Sequence, residues 1–539
     1  MARGCGDFLI PLAVSLEHGT RGADSWYVST MQLQLVSFQV CEIVRAKVGV
    51  HLKVEAATPP KIWDLACDPD RPNATTLGPA PRVVHASWSR MIPCLAFMTW
   101  PAALQQLTFG GGIDVPLDGV VWPVSLRRIT FGDCFNQPIE RVSWPSSLQQ
   151  LAFGKYFDQP IEAVKWPATL QRLTFGAGFD QPIFGVVWPA SLQQLAFGGG
   201  SYKQRVGDAA WPLALHPLRL GFRFRQHLEG ITWPPSLRQL TLGEQFNEPI
   251  DPIVWPASLQ QLTFGWAFNQ PIKDAVWPAS LRQLTFGYLF DQQINEVVWP
   301  ASLQQLDLGY SFNRPILYVS WPVSLQELTF GARFNQAVVS FESLASLQRL
   351  TFGFSFNQPV ENLAWPSALR ELTFGEVFNQ SLNGVEWPDS MQTLTLGKRF
   401  NQPIDGVDWP ASLQELTFGE AFDQPLEGVE WPSSLRRLTF GHNFNHPVDV
   451  LQGLTSLQRV TFGRLFHHPV DNLKWPASLR ELTFARAFNQ PIGGMEYPDS
   501  LQLRIGTRIV DRAREDVGRA SSRRRCLSCS LLVLQPRLL

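Results

Sequence analysis

Residues 255–276 read WPASLQQLTFGWAFNQPIKDAV, and residues 277–298 repeat the message as WPASLRQLTFGYLFDQQINEVV. The interval is 22 residues, and it holds along most of the chain. Trp–Pro stands at 100, 122, 144, 166 and 188, then at 211, 233, 255, 277, 299 and 321. It resumes at 365, 387, 409 and 431 and closes at 475. Ser343-Leu344 and Gly453-Leu454 hold the place of Trp–Pro in two degenerate copies, and Leu347 and Leu457 follow in step. Tyr497-Pro498 opens a last, broken copy. From Leu104 to Leu501 the leading Leu marks about nineteen copies, with Met391 in one slot. A repeat of this length means one structural unit stacked many times. The phase slips once, where Trp188 to Trp211 spans 23 residues, and 199–228 is the irregular patch.

Within one copy, Leu259, Leu262, Phe264, Phe268, Ile272, Ala275 and Trp277 are the apolar positions. Leu262 and Phe264 alternate around Thr263, which predicts a short strand with Thr outward. The later apolar residues fall three to four apart. A helix is nevertheless excluded by the Gly and two Pro of each copy. The chain must therefore wind as a coil, one side a strand and the rest extended. Stacked coils set equivalent residues about 4.8 Å apart, and each buries its apolar edge only against its neighbours.

The pattern L-x-x-L-x-F-G…F-N-x-P-I, with W-P-x-S-L, resembles the FNIP repeat, a relative of the leucine-rich repeat. The resemblance covers about residues 98–502. It implies a β-rich solenoid: a leucine-rich-repeat-like right-handed coil of about nineteen 22-residue turns, with a parallel β-sheet on one face and a small N-terminal cap. It implies no catalytic activity. The expected division is a cap or small adaptor region at 1–97, the solenoid at 98–502, and a basic, partly disordered tail at 503–539, with a helix over 503–525.

The Asn of the repeated FNQP stands in a column: Asn136, Asn247, Asn269, Asn313, Asn335, Asn357, Asn379, Asn401, Asn445 and Asn489. Asp takes its place at 158, 180, 291 and 423. Free exchange of Asn for Asp points to a needed acceptor oxygen, one that takes backbone N–H groups leaving the strand. A row of carboxylates also suggests glycosidase chemistry. A catalytic pair would not recur in register with the core, so the column is read as structural. The outward Thr column reads as strand propensity on a solvated face.

Recognition is expected where copies differ. The position after the strand-ending Gly carries Phe222, Trp266, Tyr288, Tyr310 and Phe354, with Glu, Ala, Lys, His or Arg in other copies. Stacked aromatics there are candidate anchors for a partner, the alternative being that they cover the sheet edge. On the strand face Glu327, Arg349, Glu371, Glu415, Arg437, Arg459 and Glu481 suggest a charge ladder between adjacent copies. His442, His446, His467 and His468 cluster, and His446, His467 and His468 are the residues that would hold a metal if one were bound. His446 and His468 occupy the slot usually filled by Gln, and the reading is no metal and no cofactor.

The formal charge is −1. From Leu503 onward nine Arg face Asp511, Glu515 and Asp516, giving +6 and leaving −7 for the rest. Nucleic acid is not an expected partner of such a body. The seven Cys are scattered and none lies in the repeat, so the expectation is a reducing, cytoplasmic setting. Cys526 and Cys529 form a lone CxxC. FLIPLAVSL (8–16) follows Arg3, but Asp7 and the missing cleavage site argue against a leader. No run reaches a membrane span. GxSxG, P-loop and HExxH motifs are absent. The expected function is a non-enzymatic scaffold for an unknown protein partner, with a metal- or glycan-binding module or a plain spacer as alternatives.

Overall fold

The computed structural model describes residues 14–17, 50–54, 83–88, 95 and 100–509, save 199–203, 205, 208, 252 and 493. The chain forms two compact units, residues 1–303 and 304–539. Each is a parallel β-solenoid with one strand of three or four residues per coil.

The coil at 255–277 shows how the sequence makes the shape. Three tight turns close it, each by a bond from the fourth residue to the first: Leu259 N–H to Pro256 O, Phe268 N–H to Gly265 O, and Ala275 N–H to Ile272 O. Between the first two corners runs the strand Gln261–Thr263, which pairs in register with Gln239–Thr241 before it and Gln283–Thr285 after it. All seven apolar positions of this coil are buried, Leu259 and Phe268 completely. The rings stack along the coil axis. Phe264 lies 4.0 Å from Phe268 within the coil and 5.4 Å from Phe286 of the next. In the second unit Phe352 repeats this, at 3.9 Å from Phe356 and 5.7 Å from Phe374. Each buried Phe is worth about 2 kcal/mol by area, so the two Phe columns dominate the core.

Polar residues of the repeat finish the backbone. The Ser258 hydroxyl donates to the Leu237 carbonyl at 2.7 Å, and Ser412 does the same for Met391 at 2.6 Å. The repeated WPxSL is thus a corner, a carbonyl cap and a core residue in sequence. The degenerate copy at Ser343 survives because Phe341, fully buried, fills the missing indole volume between Phe330 and Phe352. At Gly453 the 3-10 turn Asp449–Gly453 buries Leu451 instead. The irregular patch keeps the register: Pro217–Arg219 pairs with Gln239–Thr241 on one side, and Leu218–Arg219 with Leu195–Ala196 on the other.

At the N-terminal end of the first unit, Val83–Trp88 pairs with Gln106–Phe109, Val50–Val54 pairs with Val83–Trp88, and Val14–Glu17 lies antiparallel to Val50–Val54. At the end of the second unit Gln502–Ile505 continues the ladder and Arg508–Ile509 folds back on it. The helix expected from 503 onward is therefore corrected as far as Ile509. Gly506, at φ 62°, reverses the chain, and its N–H bonds to Phe484 O at 2.9 Å, so these residues extend the sheet. The lone CxxC and the rest of the tail lie outside the described residues.

Candidate interaction surface

Geometry at the strand exit throws one side chain per coil outward. A Cβ on Gly265 would sit 2.0 Å from the Gly243 carbonyl oxygen, and one on Gly375 would sit 1.6 Å from that of Gly353. Backbone packs directly on backbone there, and the next residue has nowhere to go but out. In the first unit that residue is aromatic at Phe222, Trp266 and Tyr288. Trp266 is 51% exposed, and its ring lies 3.8 Å from that of Tyr288 at 2°. The Trp266 backbone N–H donates to the Glu244 carboxylate at 2.9 Å. Glu244 separates Trp266 from the exposed Phe222.

In the second unit Tyr310 and Phe354 occupy the same position, both exposed, with Ala332 between them. Phe354 opens a shallow groove of about 390 Å³ that continues past Glu376, Lys398, Glu420 and His442. Lys398 Nζ lies 2.7 Å from Glu376, and that hydrogen bond raises the Lys398 pKa. Trp266, Phe222, Tyr310 and Phe354 thus each present an exposed aromatic surface at a strand exit.

The Asn column is a hydrogen-bond ladder. Asn269 Oδ1 accepts the Asp291 N–H at 2.8 Å, and Asn357 Oδ1 accepts the Asn379 N–H at 2.8 Å. Asp158 serves Asp180 in the same way at 2.9 Å. The neighbouring Gln adds a second tie, as from Gln292 Nε2 to Asn269 at 3.0 Å. At the C-terminal copies His residues enter these columns. His446 Nε2 meets the Asp423 carbonyl at 3.0 Å, where other copies use Gln. His467 fills the Asn slot; its own N–H reaches Asn445 Oδ1 at 2.8 Å, but its Nδ1 is buried with no partner. His468 lies beside Phe466. Among the described residues no group of three or more His, Cys, Asp or Glu is placed to hold a metal ion.

On the sheet face of the second unit the charges pair between coils. Arg349 bonds Glu327 at 2.8 Å on one side and Glu371 at 2.7 Å on the other. The Arg349 hydrogen bond holds the Glu371 carboxyl below its usual range. Arg437 meets Glu415 at 3.1 Å and Arg459 meets Glu481 at 2.8 Å. On the first unit's face the corresponding columns hold Arg among Gln, Thr, Ala, His and Pro, with no carboxylate from Gln105 to Thr285. That asymmetry was readable in the sequence, by following the strand columns through the early copies as well as the late ones.

With the coil and its columns in view, comparison places the repeat. The FNIP Repeat family matches at residues 114–156, 224–266, 268–311 and 378–421. The chain is an FNIP repeat-containing protein. Among solved structures it is similar to CroV588, described as a novel circular LRR protein, with 36% identity and a TM-score of 0.68. That match covers 80% of this chain and 63% of that one, so the FNIP-repeat chain spans less than two thirds of its length. A chain of the Drosophila Toll–Spatzle complex aligns over 84% of this chain and 69% of its own, at 13% identity and TM-score 0.49. One of the TLR13–ssRNA13 complex aligns over 80% and 78%, at 12% and 0.44. With TM-scores below 0.5, neither of these two bears on function. No curated protein matches the sequence. No catalytic family is indicated. No helix among the described residues is long and apolar enough to cross a membrane.

Proposed function

We propose that this FNIP-repeat protein is a non-enzymatic scaffold that binds another protein through its sheet face and the aromatic positions at the strand exits. The observation that carries the reading is Trp266. A half-exposed indole on a rigid corner, braced by Tyr288 at 3.8 Å, brings large contact area at little entropic cost. The same stack covers one face of the ring, which disfavours a sugar laid flat on it. Cys134, exposed and free, suits a reducing cytoplasmic setting. In this reading residues 1–97 are a cap or small adaptor region and the residues after Ile509 a basic tail.

Affinity purification with mass spectrometry tests this, using the wild type beside Trp266→Ala/Tyr288→Ala and, separately, Tyr310→Ala/Phe354→Ala, all matched by circular dichroism. Loss of one partner in one variant alone makes that position the recognition face. An unchanged partner list in both makes the aromatics cover, and the scaffold reading would then have to rest on other surfaces.

A further inference from the structure

We propose that the sheet face of the first unit docks an acidic polypeptide segment; this rests on the scaffold reading and names the chemistry of the partner. Six arginines stand on or just before its strands: Arg127, Arg128, Arg172, Arg219, Arg238 and Arg282. All but Arg128 are exposed, and Arg128 has its Nε buried with no partner. None of the six makes an ion pair or side-chain hydrogen bond among the described residues. In the second unit the column of Arg128 and Arg172 holds Glu on the coil beside Arg, and those pairs close at 2.7–3.1 Å. A cationic face built on the same frame, with the counter-charges left out, is open to carboxylates from outside.

Spacing selects the kind of anion. The coils bearing these arginines fall mostly two apart, which is about 10 Å along the stack. A peptide in the polyproline II conformation advances about 9 Å in three residues and completes one turn, so an acidic side chain at every third position returns to the same face and meets arginines on alternate coils. The intervening Gln, such as Gln194 and Gln261, offer amide donors and acceptors to the backbone of that segment. A guanidinium matches a carboxylate with two parallel bonds. A nucleic acid strand carries charge about every 3.4 Å, far denser than these arginines. Single strands also need free ring faces for stacking. The sheet face itself bears none; the exposed Trp266 and Phe222 stand at the strand exits, off the arginine columns.

The test uses the full chain and a fluorescein-labelled peptide with Glu at every third position among Gly, read by anisotropy. A peptide with Gln in place of Glu and an oligothymidylate of equal charge serve as competitors. The Glu peptide is expected to bind at low salt and to weaken by about tenfold as salt screens the pairs. Arg172→Gln/Arg238→Gln/Arg282→Gln, all exposed, is expected to fold normally and to lose about tenfold. Arg512→Gln/Arg514→Gln in the tail is expected to bind as wild type. The proposal is overturned if the triple variant binds unchanged, if the tail variant carries the loss, or if the Gln peptide or the oligothymidylate competes equally well. Capture of cellular partners plays no part in this experiment, so the scaffold reading and the charge reading fail separately.

Discussion

The two units are built alike and dressed differently. Both use the same corners, the same Phe columns and the same Asn ladder, yet the sheet face of the first carries Arg without carboxylates and that of the second adds Arg–Glu ladders. A second column agrees. The residue before Trp is Val254, Val276 and Val298 on consecutive coils of the first unit, each at least 70% exposed, but Glu386, Asp408 and Glu430 on consecutive coils of the second. Surface chemistry has changed while the coil has not. In a stack where each coil touches only its neighbours, frame positions must repeat and outward positions are free. Function, if it differs along the array, belongs to the outward positions.

The frame half of that comparison is broken if the units respond differently to the same frame substitution. Gly265→Ala in the first unit and Gly375→Ala in the second should be equally damaging, since each Cβ lands within 2.0 Å of a carbonyl oxygen. Two backbones must part, at a cost of about 3 kcal/mol or more. Gly384→Ala is the control: its corner has open space and only a φ of 74° to resist Ala, for about 1 kcal/mol. Urea midpoints, with hydrogen exchange over the flanking coils, measure all three.

A smaller effect tests the ladder. Asn269→Ala and Asn357→Ala each orphan a backbone N–H on the next coil, that of Asp291 or Asn379, for about 1–3 kcal/mol. Asn→Asp at the same positions keeps the acceptor and should cost little, as Asp158 and Asp423 already do the work in the native chain. A loss from Asp as large as that from Ala would show that the column needs the amide, and the two units should agree on which it is.

Much of this frame was legible because it repeats. One coil leaves the role of Asn269 ambiguous, whereas a column in which Asp replaces Asn identifies an acceptor oxygen. The seven core positions of the 255–277 coil follow from spacing alone. The hydroxyl-to-carbonyl bond of Ser258 was not legible, because it joins residues 21 apart that look like two independent surface positions. Nor was the replacement of an indole by Phe341, which sits two residues away from the slot it fills. The helix expected after 503 failed because basic composition says nothing of Gly506, whose left-handed turn sends the chain back onto the sheet. The aromatic positions were found, but the stacking of Trp266 on Tyr288 at 3.8 Å was not, because sequence gives no ring orientation.

The smallest effect sharpens the charge half of the comparison. Glu371 has its pKa lowered chiefly by the hydrogen bond from Arg349. A carboxyl whose folded pKa is depressed contributes stability above its unfolded pKa, and loses it as pH falls through the folded value. Both partners are nearly half exposed, so the contribution is under about 1 kcal/mol. Arg349→Gln should therefore lower stability slightly at neutral pH, and the gap to wild type should close as the solution is acidified through the carboxylate range. Asp307, whose pKa burial raises, is the same in both proteins and drops out of the difference. Arg172→Gln in the first unit should show no such pH-dependent gap, because no carboxylate faces it. Melting temperatures across that pH range, taken for both variants and the wild type, decide it. Should Arg172→Gln trace the same closing gap, the first unit's arginine would have a carboxylate partner after all, and the contrast between the two faces would be lost.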